Sequence, residues 1–361
     1  MKREGHTRRL WIHIGAPKTG TTYLQDLIWR NKPRLAAAGV YCPGAKQAHH
    51  HRAALDLRQA DDHGARRPNA PGSWDRLSEE VAAGSGDCVI TSELLAWTPR
   101  RRTGRAFASF PGHQVHVVFT MRDFVRQIPA VWQEWVKNRG VTTYEEFVEG
   151  ALRGAENDRI HRRMWRAQDP RRVLRAWGTA IPPEQVHVIT VPPAGAPPDA
   201  LWQRFCRVLG VDPAAFDTSI ERANEGLNFQ ETEFLRRINL AIPDRVSWAT
   251  YNQMIKTGIA RHVLGRGGAR IALPPQYLPA VRTRTEEATA FLREQGYDVV
   301  GDLADLDPPA GAASASQDEP EEQLTQLLDE SAAAVARLVD EVQRSWDDAG
   351  ALRAGLEELR P

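Results

Sequence analysis

The chain has 361 residues, room for one large domain or two ordinary ones, and enough to build a core without metal or disulfide staples. Lys and Arg number 47 against 46 Asp and Glu, so the net charge is +1, which excludes the strong basic excess of a general nucleic-acid binder. Cys42, Cys88 and Cys206 form no CxxC pair, no long apolar run is present, and the basic N-terminus lacks a signal-type apolar stretch, so a cytoplasmic chain without disulfides or a membrane span is expected.

Residues 10–14 (LWIHI), 88–91 (CVIT), 115–120 (VHVVFT) and 186–191 (VHVITV) read as short buried strands, rich in β-branched residues and bounded by turns. Helical periodicity lies between them. Residues 22–31 carry Tyr23, Leu24, Leu27 and Ile28 on one face, and 75–83, 131–137, 144–152, 171–177 and 200–209 are further helices. The alternation predicts an α/β fold with a central parallel sheet and helices on both faces. Ligands of such sheets bind beyond the carboxyl ends of the strands, so chemistry is to be sought just after each apolar run. Residues 221–300 are more helical, 231–240 most clearly.

Residues 308–320 (PPAGAASASQDEP) have the small, polar, proline-bounded composition of a linker between a domain of residues 1–307 and a tail of residues 321–361. In the tail Leu324, Leu328, Val335, Leu338, Val342, Ala349, Leu352, Leu356 and Leu359 recur at alternating steps near three and four. That is an amphipathic C-terminal helix with heptad character. A helix folded on its own domain, a coiled coil joining copies into a homo-oligomer, and a partly disordered tail all fit this pattern.

The first strand runs into Gly15-Ala16-Pro17-Lys18-Thr19-Gly20-Thr21-Thr22 and then into a helix. Loop glycines let backbone N–H groups approach an anion, and a helix start adds unpaired N–H groups. Thr21 and Thr22 supply hydroxyls and are candidate helix caps. An ordinary glycine turn would need no lysine and two threonines in register with it, so a phosphate cradle is the stronger reading. It is not a Walker A loop, whose lysine directly follows the second glycine; Thr21 stands there and Lys18 lies three residues earlier. The hydroxyl-held magnesium of nucleotidases therefore has no basis here.

GAPKTGTT resembles the 5′-phosphosulfate loop of the sulfotransferase family, which typically reads G-x-P-K-[ST]-G-T-[ST] between the first strand and the first helix. The resemblance spans about residues 8–305, with supporting blocks at Trp177, 186–192 and RIALPP (270–275) followed by GYDVVGDL. It implies a P-loop-like three-layer fold. It also implies transfer of a sulfuryl group from 3′-phosphoadenosine 5′-phosphosulfate (PAPS) to a hydroxyl or amine of a small-molecule or carbohydrate acceptor, with no metal. Gly15, Pro17, Lys18, Thr19, Gly20, Thr21 and Thr22 would then bind the donor. Lys18 would be catalytic, because charge developing on a departing phosphate needs a preplaced cation.

The third apolar run ends in Met121-Arg122-Asp123-Phe124-Val125-Arg126. Arginine at the end of a buried strand needs an anion or a partner, and its planar guanidinium suits phosphate; a structural ion pair is the alternative. In sulfotransferases such a strand commonly leads into R-[DN]-P at the 3′-phosphate site, with a serine eight residues after the arginine. Arg122-Asp123 matches, whereas Phe124 replaces the proline and Ala130 the serine. The resemblance makes Arg122 a nucleotide ligand, with Arg126 or Gln127 as helper if the segment is helical through Pro129.

The second run ends in Thr91-Ser92-Glu93, which puts Glu93 at the catalytic edge as candidate general base. A capping or salt-bridged carboxylate, with Arg100, Arg101 and Arg102 nearby, is the structural alternative. His51 is the rival base, in a His49-His50-His51 run that reads as a loop, solvated or rimming the pocket. His13 reads as a satisfied core residue, and no Cys, His and carboxylate spacing completes a metal site. Gln133 and Glu134 between Trp132 and Trp135, a basic Arg100–102 and Arg105 patch read as a solvated loop or an acceptor site, and Asn224 and Asn228 are lesser candidates. The leading expectation is a PAPS-dependent sulfotransferase. Its rivals are a variant P-loop kinase or NTPase, with Asp123 as its metal carboxylate, and a non-catalytic nucleotide-binding or assembly protein.

Overall fold

The computed structural model describes residues 7–59, 70–219, 226–264, 270–308 and 322–358. In chain order the elements are β1 (Arg8–Gly15), α1 (Thr21–Arg30), α2 (Lys32–Ala37), β2 (Val40–Tyr41), α3 (Gln47–Arg58), α4 (Ser73–Ala83), β3 (Asp87–Thr91), α5 (Arg100–Ala108), β4 (His113–Met121), α6 (Phe124–Lys137), α7 (Tyr144–Arg153), α8 (Arg159–Gln168), α9 (Pro170–Trp177), β5 (Val186–Thr190), α10 (Ala200–Leu209), α11 (Phe229–Ala241), α12 (Trp248–Tyr251), α13 (Leu278–Glu294), β6 (Asp298–Val300) and α14 (Glu322–Glu358). A wider-wound helical stretch, Asn252–Val263, continues from α12.

The six strands form one sheet in the order β2-β3-β1-β4-β5-β6, every neighbouring pair parallel. This is a three-layer α/β fold. β1 is buried from Leu10 to Gly15, and β3 and β5 along their whole length, without alternation of apolar and polar residues. Such continuous burial is what helices on both faces require. On one face Trp11, Val89, Val118 and Ile189 meet Leu24, Leu27 and Ile28 of α1 and Trp202 and Phe205 of α10. Fully burying each large side chain contributes about 1.5–3 kcal/mol. Cys42, Cys88 and Cys206 are buried free thiols. Burial pushes Cys42 and Cys206 up to about 12.

The chain divides into two compact units, one of residues 1–128, 150–221 and 275–312, the other of residues 129–149, 222–274 and 313–361. The sheet belongs to the first. In the second, α14 packs on α11 and α12 through Ala332, Ala336 and Val339. Arg245 Nε donates to Asp340 at 2.7 Å, and Ser247 N donates to the buried Gln343 at 3.1 Å. All but Pro308 of the expected linker lies outside the described residues.

Several local expectations are corrected. The histidine run is not a loop but the first turn and a half of α3. Arg100, Arg101 and Arg102 open α5 instead of forming a solvated loop. α6 runs through Pro129, whose missing N–H falls just beyond the first turn. Strands β2 and β6, two and three residues long, extend both edges of the sheet.

Candidate functional site

The chain leaves β1 toward the β2 edge and leaves β4 toward the β6 edge. Diverging connections open a crevice at the carboxyl ends of β1 and β4, where α/β sheets bind ligands. The loop after β1 carries Lys18, and the residue after β4 is Arg122.

The loop is held from below at each step. Ala16 N donates to the Thr120 carbonyl at 2.9 Å, which extends the sheet past β1. The buried Thr19 hydroxyl donates to the Ala16 carbonyl at 2.5 Å and sits 2.5 Å from the Thr120 hydroxyl, which can donate back to it. Pro17 offers its carbonyl to two buried amides, Gln127 Nε2 at 2.6 Å and Gln168 Nε2 at 3.0 Å, and these are joined to each other at 2.8 Å. Between these anchors Gly15, Lys18 and Gly20 take positive φ of 91°, 67° and 80°. Left-handed turns interspersed along a short loop gather backbone N–H groups into a concave anion site. Lys18 adopts this region without being glycine, a strain of order 1–3 kcal/mol that persists only where surroundings over-determine it.

Neither Thr21 nor Thr22 caps α1, contrary to expectation. The N-cap is Gly20, and no side chain bonds the first-turn N–H groups. Thr21 is buried at the first helical position and Thr22 is exposed. A helix start left without a side-chain cap keeps its donors and positive dipole end for a ligand.

Arg122 is half-buried, with Nη1 3.5 Å from the Lys18 carbonyl. Asp123 is buried and caps α6: its Oδ1 accepts from Arg126 N at 2.8 Å and its Oδ2 is paired with Arg126 Nε. Arg126 also donates through Nη1 and Nη2 to the Pro192 carbonyl, both at 3.2 Å. The two arginines thus differ: Arg126 braces the loop after β5 to the start of α6, whereas Arg122 lies against the Lys18 loop.

Glu93 begins a short turn, Glu93–Trp97, separated from the end of β3 by Ser92 alone. A Cβ at Gly15 would lie 3.0 Å from Glu93 Cα, so the glycine is what lets the β1 loop pass this backbone. Glu93 Oε2 accepts from Gln25 Nε2 at 2.9 Å, and Gln25 Oε1 accepts from Gln47 Nε2 at 2.7 Å. The carboxylate is therefore oriented by α1, which is oriented in turn by α3. His51 is half-buried one turn beyond Gln47 on α3. Its neighbour His50 is structural: Nε2 meets the Pro43 carbonyl at 2.9 Å and Nδ1 accepts from Thr91 N at 3.1 Å. Burial lowers the pKa of His50 to about 4 and that of His13 to about 3, so both are neutral. His13 is only half satisfied, with Nδ1 2.8 Å from the Thr91 hydroxyl and Nε2 buried without a hydrogen bond.

The lesser candidates have local duties. In the second unit Gln133 donates to the Leu227 carbonyl, Glu134 pairs with Lys256 at 3.0 Å, and Asn228 caps α11 in a reciprocal box with Glu231. In the first unit Arg102 donates to Gln59, and Arg105 pairs with Asp75 at 2.8 Å. Asn224 lies outside the described residues. Gln25, Gln47 and Gln168 were not anticipated. A glutamine carries neither charge nor periodicity, and no signal in the sequence marks them. Among the described residues no group of three or more His, Cys, Asp and Glu could hold a metal, and no helix is long and apolar enough to cross a membrane.

No protein-family model matches the sequence, and no curated protein matches it. Among solved structures, a sulfotransferase from Alicyclobacillus acidocaldarius is similar over 71% of this chain and 96% of that chain, with 18% identity and a TM-score of 0.36.

Proposed function

We propose that the chain is a PAPS-dependent sulfotransferase acting on a hydroxyl or amine of a small-molecule or carbohydrate acceptor. The observation that carries this reading is the placement of Arg122 Nη1 3.5 Å from the carbonyl of Lys18, at the mouth of the β1/β4 crevice. A guanidinium beside a loop with a concave run of backbone amides is a donor set suited to phosphate, and in this reading the Lys18 ammonium joins it, which would serve a nucleotide with phosphates at two positions. Both carboxylate oxygens of Asp123 are engaged within α6, which leaves the magnesium-dependent NTPase reading without its metal carboxylate.

In this reading PAPS supplies an activated sulfuryl group, and the chain's residues hold and polarise. The loop amides and the start of α1 receive the 5′-phosphosulfate. Lys18 stabilises the negative charge that appears on the phosphate oxygen as its bond to sulfur breaks. Arg122 receives the 3′-phosphate. As the acceptor oxygen or nitrogen bonds to sulfur its proton must leave, and Glu93, aimed by Gln25, is the base assigned to take it. His51 is the second choice, and Arg126 acts by bracing Asp123 instead of touching the nucleotide.

Titration calorimetry of adenosine 3′,5′-bisphosphate against ATP, each with and without magnesium, tests the reading. Magnesium-independent binding of the bisphosphate, at least tenfold tighter than ATP, is expected. Tighter binding of ATP that requires magnesium would overturn it.

A further inference from the structure

Among the described residues of α14, one row is fully buried and a second apolar row, half-buried at Leu328, Val335 and Val342, becomes exposed at Leu338 and Ala349. Ala332, Ala336, Val339 and Gln343, at helical steps of four, three and four, are the buried row against α11 and α12. The heptad row of the sequence is rotated from this by about 100°, one residue of an α-helix. On it Leu338 is 57% exposed, Val342 is half-buried, and Ser345 and Ala349 are exposed. Trp346 is 43% exposed beside it. Residues 344–349 are all exposed, and the heptad pattern continues in the sequence to Leu352, Leu356 and Leu359. A helix without packing on an apolar stripe is marginal in water.

We propose that this outer face of α14 pairs with the same face of a second copy of the chain, the two helices running antiparallel about an axis near Val342. The charges select this occupant and this direction. Arg337, Glu341, Arg344 and Asp348 form the next row round the helix, with signs that alternate along it; Arg344 also donates to Asp340 of its own helix at 2.6 Å and would be shared with the second copy. Reversing a second copy sets Arg337 opposite Asp348 and Glu341 opposite Arg344, twice over by symmetry. It also sets Leu338 beside Trp346 of the other copy. A parallel copy would instead set this row against the partner's opposite flank, the row of Val339 and Gln343 that is already buried in its own unit, so the charges would find no counterpart. The shallow open depression lined by Glu341, Arg344, Ser345, Asp348 and Ala349 lies at this surface and offers the facing side chains a seat. A symmetric pair needs one self-complementary patch, which this row supplies. The paired rows from Arg337 to Asp348 span about 17 Å of helix, short of a standard interface, so a dimer that dissociates at micromolar concentration is expected.

Sedimentation equilibrium of the full chain from about 1 to 200 µM tests this and is expected to show a reversible monomer–dimer transition. Leu338→Glu with Trp346→Glu should shift the dissociation constant at least tenfold upward, with the helical circular dichroism retained. Arg337→Asp alone should weaken the dimer, and Arg337→Asp with Asp348→Arg should restore it. Val342→Cys should form an intermolecular disulfide on mild oxidation. A chain that stays monomeric at 200 µM would overturn the proposal. So would a dimer that the charge reversal weakens without rescue, or one that Val342→Cys fails to link.

Discussion

The side-chain amide of Gln127 reaches from α6 to the carbonyl of Pro17, 2.6 Å away, and so ties the helix that follows Arg122 to the loop that carries Lys18. Gln168 at the end of α8 completes the clamp on the same carbonyl. The loop's shape is thus set by amides of two helices that contribute no charge. Replacing Gln127 by Leu leaves a buried partner unsatisfied, a cost of about 1–3 kcal/mol. Urea unfolding should show that loss. Calorimetry should show, in the folded protein, a weaker affinity for adenosine 3′,5′-bisphosphate, because the amides that receive the phosphate are less well held. An affinity unchanged within twofold would make the clamp a stability feature only.

Lys18 separates charge from backbone strain. Lys18→Gly removes the cation but occupies φ 67° at no steric cost, so thermal stability should stay within about 1 kcal/mol. Lys18→Ala keeps the strain and loses the cation. Both should abolish sulfuryl transfer and weaken bisphosphate binding alike. Undiminished turnover in either variant would remove the role assigned to Lys18.

The legibility of this arrangement in the sequence was uneven for physical reasons. GAPKTGTT is a local demand: glycine where φ is positive, a cation and hydroxyls within one turn. It can be read without knowing what lies beneath it. β1, β3, β4 and β5 announced themselves because burial on both faces writes a continuous apolar run. β2 and β6 are short edge strands whose pairing is decided by their neighbours. α3 was hidden because its inward residues are mostly Ala53, Ala54 and Leu57, and three histidines dominate its first turns. The glutamines that aim Glu93 and clamp Pro17 have meaning only once α1, α3, α6 and α8 are placed.

Arg122 and Arg126 should separate cleanly. A hydrogen bond to a charged group is worth about 1.5–3 kcal/mol, so Arg122→Ala should weaken adenosine 3′,5′-bisphosphate binding about tenfold or more. Binding of adenosine 5′-monophosphate, which lacks the 3′ group, should change little. Arg126→Ala removes the partner of the buried Asp123 and the donors to Pro192, so its main effect should be a lower melting temperature. Equal loss of affinity for both nucleotides in Arg122→Ala would reject the 3′-phosphate assignment.

His50 gives the fold an acid limit. Its folded pKa, about 4, lies below the ordinary value of 6.5 because burial disfavours the charged ring. The unfolded chain therefore binds a proton first, and the stability that neutral His50 contributes is complete above pH 6.5 and lost as pH falls toward 4. At pH 5 the loss relative to pH 8 is about 2 kcal/mol for this one residue. Urea unfolding at pH 8 and pH 5 should show a smaller difference in His50→Gln than in the parent chain, even where His50→Gln is less stable at both. An unchanged difference would mean that His50 is already protonated in the folded state, and that Thr91 N is held by something other than a neutral imidazole.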